Sequence, residues 1–241
     1  MNKASQNLIK DLKKQKRENR FLLFLDNVKI ITDAIDKGLQ PKYIFVSDES
    51  LNKWGEGYPV YKVDKTVIEQ LSDTKTPQGV VCVADYIQNK LNKPTGNFLV
   101  MDGIQDPGNA GSLIRTACAC GFSEVYMLSS VAVTNPKLIR SSVGTIFDIK
   151  IYEISREEFA EFAKVNKLNL VKADMDGKNV FKTEFKTQVG VVVGNEGQGV
   201  SKPISDICKF SVRIPMQKVE SLNAAISGSI IMYEINKNTL N

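Results

Sequence analysis

FLVMDGIQDPGNAGSLIRTACACGFSEVYML, residues 98–128, sets the architecture. Its ends, Phe98 to Asp102 and Glu124 to Leu128, are apolar runs of strand length, and between them lies a helix of Leu, Ile, Ala, Cys and Thr closed by Gly121. The pattern repeats downstream, where Ile149 to Tyr152, Leu168 to Ala173, Val189 to Val193 and Phe210 to Ile214 read as further strands separated by helices. Such alternation predicts a mainly parallel sheet covered by helices. Helix ends are well marked. Asn135 and Pro136 supply a cap and a first residue, Ser155 with Glu158 forms a capping box, and Gly144 closes a helix.

Upstream, a basic helix precedes strands at Phe21 to Leu25, Tyr43 to Ser47, Pro59 to Val63 and Val80 to Ala84. A helix from Val28 to Lys37 ends at Gly38 with Pro41 beyond, and Asp64 caps another that presents Val67, Ile68 and Leu71. These elements make one small α/β unit. Asn89 to Asn97 mixes polar residues with Pro and Gly, as linkers do. The expected division is a domain at residues 1–88, a linker at 89–96 and a second domain at 97–241.

Composition narrows the function. Hydrophobic residues make up 42% of the 241 and charged residues 24%, which excludes a disordered chain, and no apolar run approaches membrane-spanning length. Residues 1–20 lack the apolar core of a secretory signal, so a cytoplasmic location is expected. Four cysteines without paired spacing, in a chain with no histidine, disfavour structural zinc and disulfides, and no metal site is expected. The missing imidazole also removes Ser-His-Asp and Cys-His catalysis. The net charge of +5 resides in the first twenty residues, where Lys3, Lys10, Lys13, Lys14, Lys16, Arg17 and Arg20 face only Asp11 and Glu18. A solvated helix face and a nucleic-acid contact both fit that pattern.

In open parallel sheets, ligands bind where loops leave the carboxyl ends of strands. Three such loops are unusual. In the first, Pro107 and Gly108 suit a type II turn that delivers Asn109 to a helix N-terminus, and Arg115 is the only charged residue from Pro107 to Ser123. Arg115 reads either as a solvent-side residue or as a planar fork for phosphate or ribose. The second, Gly194 to Gly199, brings three glycines directly after an apolar strand, so backbone can approach a ligand closely. It is not a nucleotide phosphate loop, because the required Lys position is Val200. Nor is it a dinucleotide fingerprint, because the third glycine falls on Lys202. The third loop, Ile214 to Asn223, enters a helix from Leu222 to Asn236 with Ser221 as the expected N-cap. Its small residues Ala224, Ala225, Ser227, Gly228 and Ser229 suit close approach to a neighbouring helix or a second subunit.

Together, DPGNAGSLIRTA (106–117), GNEGQGVS (194–201) and IPMQKVESLNAAISGSIIMYE (214–234) resemble, in order and spacing, the three signature blocks of the SpoU/TrmH family of RNA ribose 2′-O-methyltransferases. NPKLIRSSVGTIFDIKI (135–151) is similar to the family's intermediate block. The N-terminal part resembles the family's L30e-like RNA-binding domain, mainly through Thr76 to Val80. The resemblance implies a C-terminal SPOUT-type α/β fold with a trefoil knot behind a smaller L30e-like α/β domain, acting as a homodimer. It implies S-adenosylmethionine as cofactor, bound by Gly194, Asn195, Glu196, Gly199, Ile214, Met216, Ser221, Leu222 and Asn223. Asn109, Arg115, Glu196, Ser221 and Asn223 are the matching active-site positions, and Arg115, Lys137 and Arg140 are candidate RNA contacts. Two departures stand out: Lys218 replaces a usual glycine, and Asp26-Asn27 replaces a Glu-Gly often found after the first strand.

Methyl transfer from a sulfonium is an in-line displacement that needs the ribose oxygen aligned and its proton removed, with no metal required. Arg115, permanently protonated, is expected to hold RNA, from its own or the opposite subunit. Ribosomal RNA, 23S in particular, is the expected target ahead of transfer RNA. The rival readings are an RNA-binding protein that keeps the fold without catalysis, and a nucleotide-dependent enzyme on an ordinary Rossmann-like sheet.

Overall fold

The structure is a computed structural model that describes residues 2–54, 57–185, 188–219 and 221–237. The N-terminal sheet uses β1 (Asn2–Lys3), β2 (Leu22–Leu25), β3 (Pro41–Val46), β4 (Val60–Lys62) and β5 (Val80–Asp85), in the order β1-β4-β3-β5-β2. β5 runs antiparallel to both neighbours, whereas β4 is parallel to β1 and β3. Helices α1 (Gln6–Glu18) and α3 (Lys65–Leu71) cover one face through Ile9, Leu12, Ile68 and Leu71. The other face takes α2 (Val28–Asp36), which Asn27 caps by accepting from the Ile30 amide. Asp64 sits at the N-cap of α3, but its side chain makes no capping bond.

The second sheet is wholly parallel and six-stranded. In chain order its elements are β6 (Phe98–Asp102), α4 (Pro107–Ala119), β7 (Glu124–Leu128), α5 (Pro136–Ser141), β8 (Lys150–Ile154), α6 (Arg156–Val165), β9 (Leu170–Asn179), β10 (Gly190–Gly194), α7 (Lys202–Ser205), β11 (Phe210–Arg213) and α8 (Ala224–Asn236). Strand order is β11-β9-β10-β6-β7-β8. Because side chains alternate along a strand, Leu99 and Met101 face α4 and α8, while Phe98 and Val100 enter an aromatic layer with Tyr126, Tyr152 and Phe159. Burial on both faces explains the unbroken apolar runs.

One core face continues across both domains, from Leu23, Leu25 and Ile30 to Ile139 and Ile146. Ion pairs reinforce the junction: Arg20 with Glu153 at 3.3 Å, Lys37 with Asp148 at 2.5 Å, and Arg140 with Asp26 at 3.4 Å. Asp26 is buried and also accepts from the Ser72 and Thr74 hydroxyls. The residue that departs from the family pattern therefore serves the domain junction. The segment between β5 and β6 lies along the second domain, with Asn89 Nδ2 donating to the Ile151 carbonyl and Tyr126 Oη to that of Asn92.

Two expected helix starts shift. Pro107 and Gly108 are the first helical residues of α4, not the centre of a type II turn. Asp106 is its N-cap, accepting from the Asn109 amide at 2.8 Å. A carboxylate cap, worth about 1 kcal/mol, followed by Pro at the first position outcompetes the turn. Likewise α8 starts at Ala224, and its N-cap is Asn223, which accepts from the Ala225 and Ile226 amides, so Ser221 is not the cap. The expected strand at Leu168 begins at Leu170, because Lys167 turns through a positive φ of 52° after α6. Gly121 (φ 71°) ends α4 as expected, and the Ser155–Glu158 capping box is present.

Candidate functional site

β6 sits between β7 and β10; the chain leaves β6 toward β7 and leaves β10 toward β11 on the other side, so a crevice opens at the carboxyl ends of β6 and β10. Three side chains from far-separated segments meet there. Asn109 Nδ2 donates to Glu196 Oε1 at 2.5 Å, and Asn223 Nδ2 donates to Asn109 Oδ1 at 3.0 Å. Asn109 lies in the first turn of α4, Glu196 in the loop after β10, and Asn223 at the cap of α8. The chain fixes the amide orientations and leaves Glu196 Oε2 able to accept from a ligand.

Beside this triad lies a cleft of about 430 Å³, within the range of small-molecule sites. Its walls include Gly194, Asn195, Glu196, Gly199, Ile214, Met216, Ser221 and Leu222, eight of the nine positions assigned to the cofactor. The ninth, Asn223, is held at the edge by its bond to Asn109. The glycine-rich loop is a closed turn in which Asn195 and Gly199 exchange backbone bonds at 2.9 and 3.0 Å. Asn195 is largely structural: its amide donates to the Gly103 carbonyl and accepts from Gly197 and Gln198. A Cβ at Gly194 would lie 2.2 Å from the Gly199 carbonyl carbon and 2.3 Å from the Val200 nitrogen, so no other residue fits. Apolar Val193, Val212 and Ile231 floor the cleft, and carboxylates stand at Glu196 and Asp174. Exposed backbone, an apolar slot and the Glu196 carboxylate suit a nucleoside that carries a sulfonium and an ammonium, while the cations Lys172 and Arg213 on the same lining balance the two carboxylates.

Sequence reasoning missed four contributors. Lys172 and Asp174 line the cleft and pair at 2.8 Å, and the hydrogen bond from Lys172 holds the Asp174 carboxyl below its ordinary value. They stand where β9 leaves β10 after Lys172, a strand end to which the same loop rule applied. Asp102, fully buried, binds Arg156 Nε and the Ser201 amide, both at 2.6 Å. That pair ties the end of β6 to α6 and to the chain leaving the glycine loop. Gly103 makes room for it, since a Cβ there would sit 2.8 Å from an Arg156 guanidinium nitrogen. A cation in the first turn of a helix opposes the macrodipole, and that was the available signal.

Arg115 stands apart. It is exposed on α4 and makes no hydrogen bond or ion pair among the described residues; it does not line the cleft. Six residues beyond Asn109, it is displaced by about 9 Å along the helix. Lys137 pairs with Asp106 at 3.2 Å, next to the start of α4, whereas Arg140 is engaged by Asp26. The α8 alternatives divide by residue. Gly228 packs on Leu113 and Val193 of its own chain, while Ile226 and Tyr233 are more than half exposed.

Comparison with known proteins identifies the family and the fold. Residues 96–233 match the SpoU rRNA methylase family, and residues 6–82 match the MRM3-like substrate binding domain. The 23S rRNA (guanosine(2553)-2′-O)-methyltransferase RlmP of Bacillus subtilis is 26% identical over 228 residues, spanning 92% of this chain and 91% of that one. The AdoMet-bound rRNA methyltransferase of Sinorhizobium meliloti superposes with a TM-score of 0.87 at 23% identity, covering 100% of this chain and 98% of the other. The SpoU methyltransferase AviRb of Streptomyces viridochromogenes, solved with AdoMet, gives 0.87 at 23% identity over 98% and 99%. At that identity the structural likeness speaks for the fold.

Proposed function

Since the chain belongs to the SpoU rRNA methylase family, we propose that the Asn109–Glu196–Asn223 centre and its cleft carry out S-adenosylmethionine-dependent methylation of a ribose 2′-hydroxyl in 23S ribosomal RNA. The single observation that carries this reading is the convergence of three sequence-distant blocks on one hydrogen-bonded triad at the mouth of a glycine-lined cleft.

S-adenosylmethionine, when bound, supplies a methyl group on a sulfonium that departs as a neutral thioether. Gly194, Gly199, Ile214, Met216 and Leu222 would hold it through backbone and apolar contact, and Glu196 would offer charge to its cationic groups. Asn109 and Asn223, already bonded to each other, would orient the ribose hydroxyl toward the methyl group; the O–C bond forms as the S–C bond breaks, and the hydroxyl proton leaves to solvent. Arg115 presents a guanidinium fork to RNA phosphate or ribose. The displacement as proposed draws on no metal.

Arg115 lies outside its own crevice, so the complete site takes it from a second copy of the chain. The exposed Ile226 and Tyr233 on α8, which packs beside α4, supply an apolar surface for that homodimer. Among the described residues no helix is long and apolar enough to cross a membrane. The N-terminal domain, similar to a substrate binding domain, presents the RNA.

The test is transfer of tritiated methyl from S-adenosylmethionine to unmodified 23S transcripts, with transfer-RNA transcripts in parallel and the modified ribose mapped by resistance to alkaline cleavage. Asn109→Ala is expected to lower transfer at least a hundredfold while calorimetry shows unchanged cofactor affinity. Mixing Arg115→Ala with Asn109→Ala protein restores activity if Arg115 serves the opposite subunit, and leaves it absent if the arginine acts within its own. Cofactor binding without transfer to any RNA overturns the catalytic reading.

A further inference from the structure

The motif blocks do not account for the basic N-terminus, and the fold puts it to use. α1 packs against the edge strand β2 of its own sheet, and β2 borders α5 of the other domain. Between α1 and α5 runs a trough of about 670 Å³. Its walls carry six cations, Lys13, Lys16, Arg17, Arg20, Lys137 and Arg140, against two carboxylates, Glu18 and Asp73.

These cations do different jobs. Lys16 is nearly buried, bonded to the Leu71 carbonyl at 2.7 Å and to Asp73 at 3.0 Å, so it holds α1 to α3. Arg20 and Arg140 are paired across the domain junction. Lys13 has only the neutral Gln70 amide oxygen, at 3.2 Å, and Arg17 has no partner among the described residues. They lie four residues apart on one face of α1, both exposed. At the far end, Lys137 reaches Asp106, whose other oxygen caps α4 at Asn109. The trough therefore runs from two cations without a carboxylate partner among the described residues to Lys137, whose partner Asp106 caps the helix that carries Asn109.

We propose that this trough carries the RNA strand leading to the target nucleotide, with Lys13 and Arg17 as phosphate-binding residues and Lys137 as the last contact before the catalytic centre. The inference rests on the RNA-methyltransferase reading above and assigns the substrate its path. Charges fixed on two separate domains measure the backbone over a distance that a single patch could not, and this selects structured RNA without reading bases.

The experiment compares wild type with Lys13→Ala/Arg17→Ala, using an unmodified 23S transcript. Filter binding is measured from 50 to 200 mM salt, methyl transfer at saturating and limiting RNA, and cofactor affinity by calorimetry. The double variant should bind RNA about tenfold more weakly, with the log–log salt slope reduced by about 1.4 for two single-strand phosphates. KM for RNA should rise in step while kcat and cofactor affinity hold. Lys13→Arg/Arg17→Lys should bind as wild type, which separates charge from folding. Unchanged RNA affinity and salt slope in the alanine variant overturn the trough while leaving the methylation reading intact. Trough-dependent RNA binding by a wild type that transfers no methyl group does the reverse.

Discussion

The cleft beside Gly194 and the trough beside Arg17 are comparable in size, about 430 and 670 Å³, yet they are made of opposite materials. The glycine loop's main chain, an apolar floor of Val193, Val212 and Ile231 and a balanced set of charges (Lys172, Arg213, Asp174 and Glu196) wall the cleft, and its loop is closed by its own backbone bonds and anchored through Asp102 and Asn195. Long cationic side chains on two domains wall the trough, two of them without a carboxylate partner among the described residues. A small cofactor of fixed shape rewards a rigid mould, since little ordering cost remains at binding. A polyanion rewards charge, which acts over a Debye length of about 8 Å and tolerates mobile side chains.

If the materials differ in this way, perturbations should separate them. The largest effect is expected at Gly194→Ala, where the added methyl meets immovable backbone. Overpacking of up to about 3 kcal/mol corresponds to roughly a hundredfold loss of cofactor affinity by calorimetry, with RNA binding unchanged. An equal loss of RNA affinity would break the comparison, because it would make the two regions one cooperative unit.

Asp26→Asn should come next, acting on the junction that sets the trough's width. Burial alone would raise the Asp26 carboxyl, but hydrogen bonds from Ser72 and Thr74 together with the Arg140 charge hold it below its ordinary value of 3.8. Its contribution to stability is therefore complete above that value and lost as pH falls through the lower native one. The variant should lose about 2 kcal/mol at neutral pH, a melting drop of about 4–8 °C. Its stability should also depend less on pH in the acid limb. RNA affinity should fall several-fold, and cofactor affinity should stay.

The smallest effect belongs to Lys137→Ala at the seam of the two regions. Its partner Asp106 is exposed, so stability should not change measurably, and KM for RNA should rise about threefold with cofactor affinity intact. A fall in kcat instead would sharpen the comparison, by assigning Lys137 to the catalytic centre and not to the trough.

Much of this was legible in the sequence. Phe98 to Asp102 and Glu124 to Leu128 are strands over those bounds, because strands buried on both faces write continuous apolar runs. The three loops were singled out by their glycines and their place after strands, and they do meet. The helix starts were misread at Pro107 and Ser221, since two neighbouring polar residues can each cap and only the packed helix decides which does. The Asp102–Arg156 pair was not legible, its residues being 54 apart; only the odd placement of Arg156 in the first turn of a helix hinted at a partner.

Amino-acid order alone determined the parallel sheet, the glycine-built loops and the place of the charge surplus, because periodicity, backbone freedom and charge are properties of short windows. Tertiary structure alone decided that Asn109 meets a carboxylate 87 residues away, that Arg140 braces a domain junction, and that Arg115 does not line the cleft of its own chain. Those outcomes depend on strand order and domain packing, which bring distant windows together and which no single window encodes.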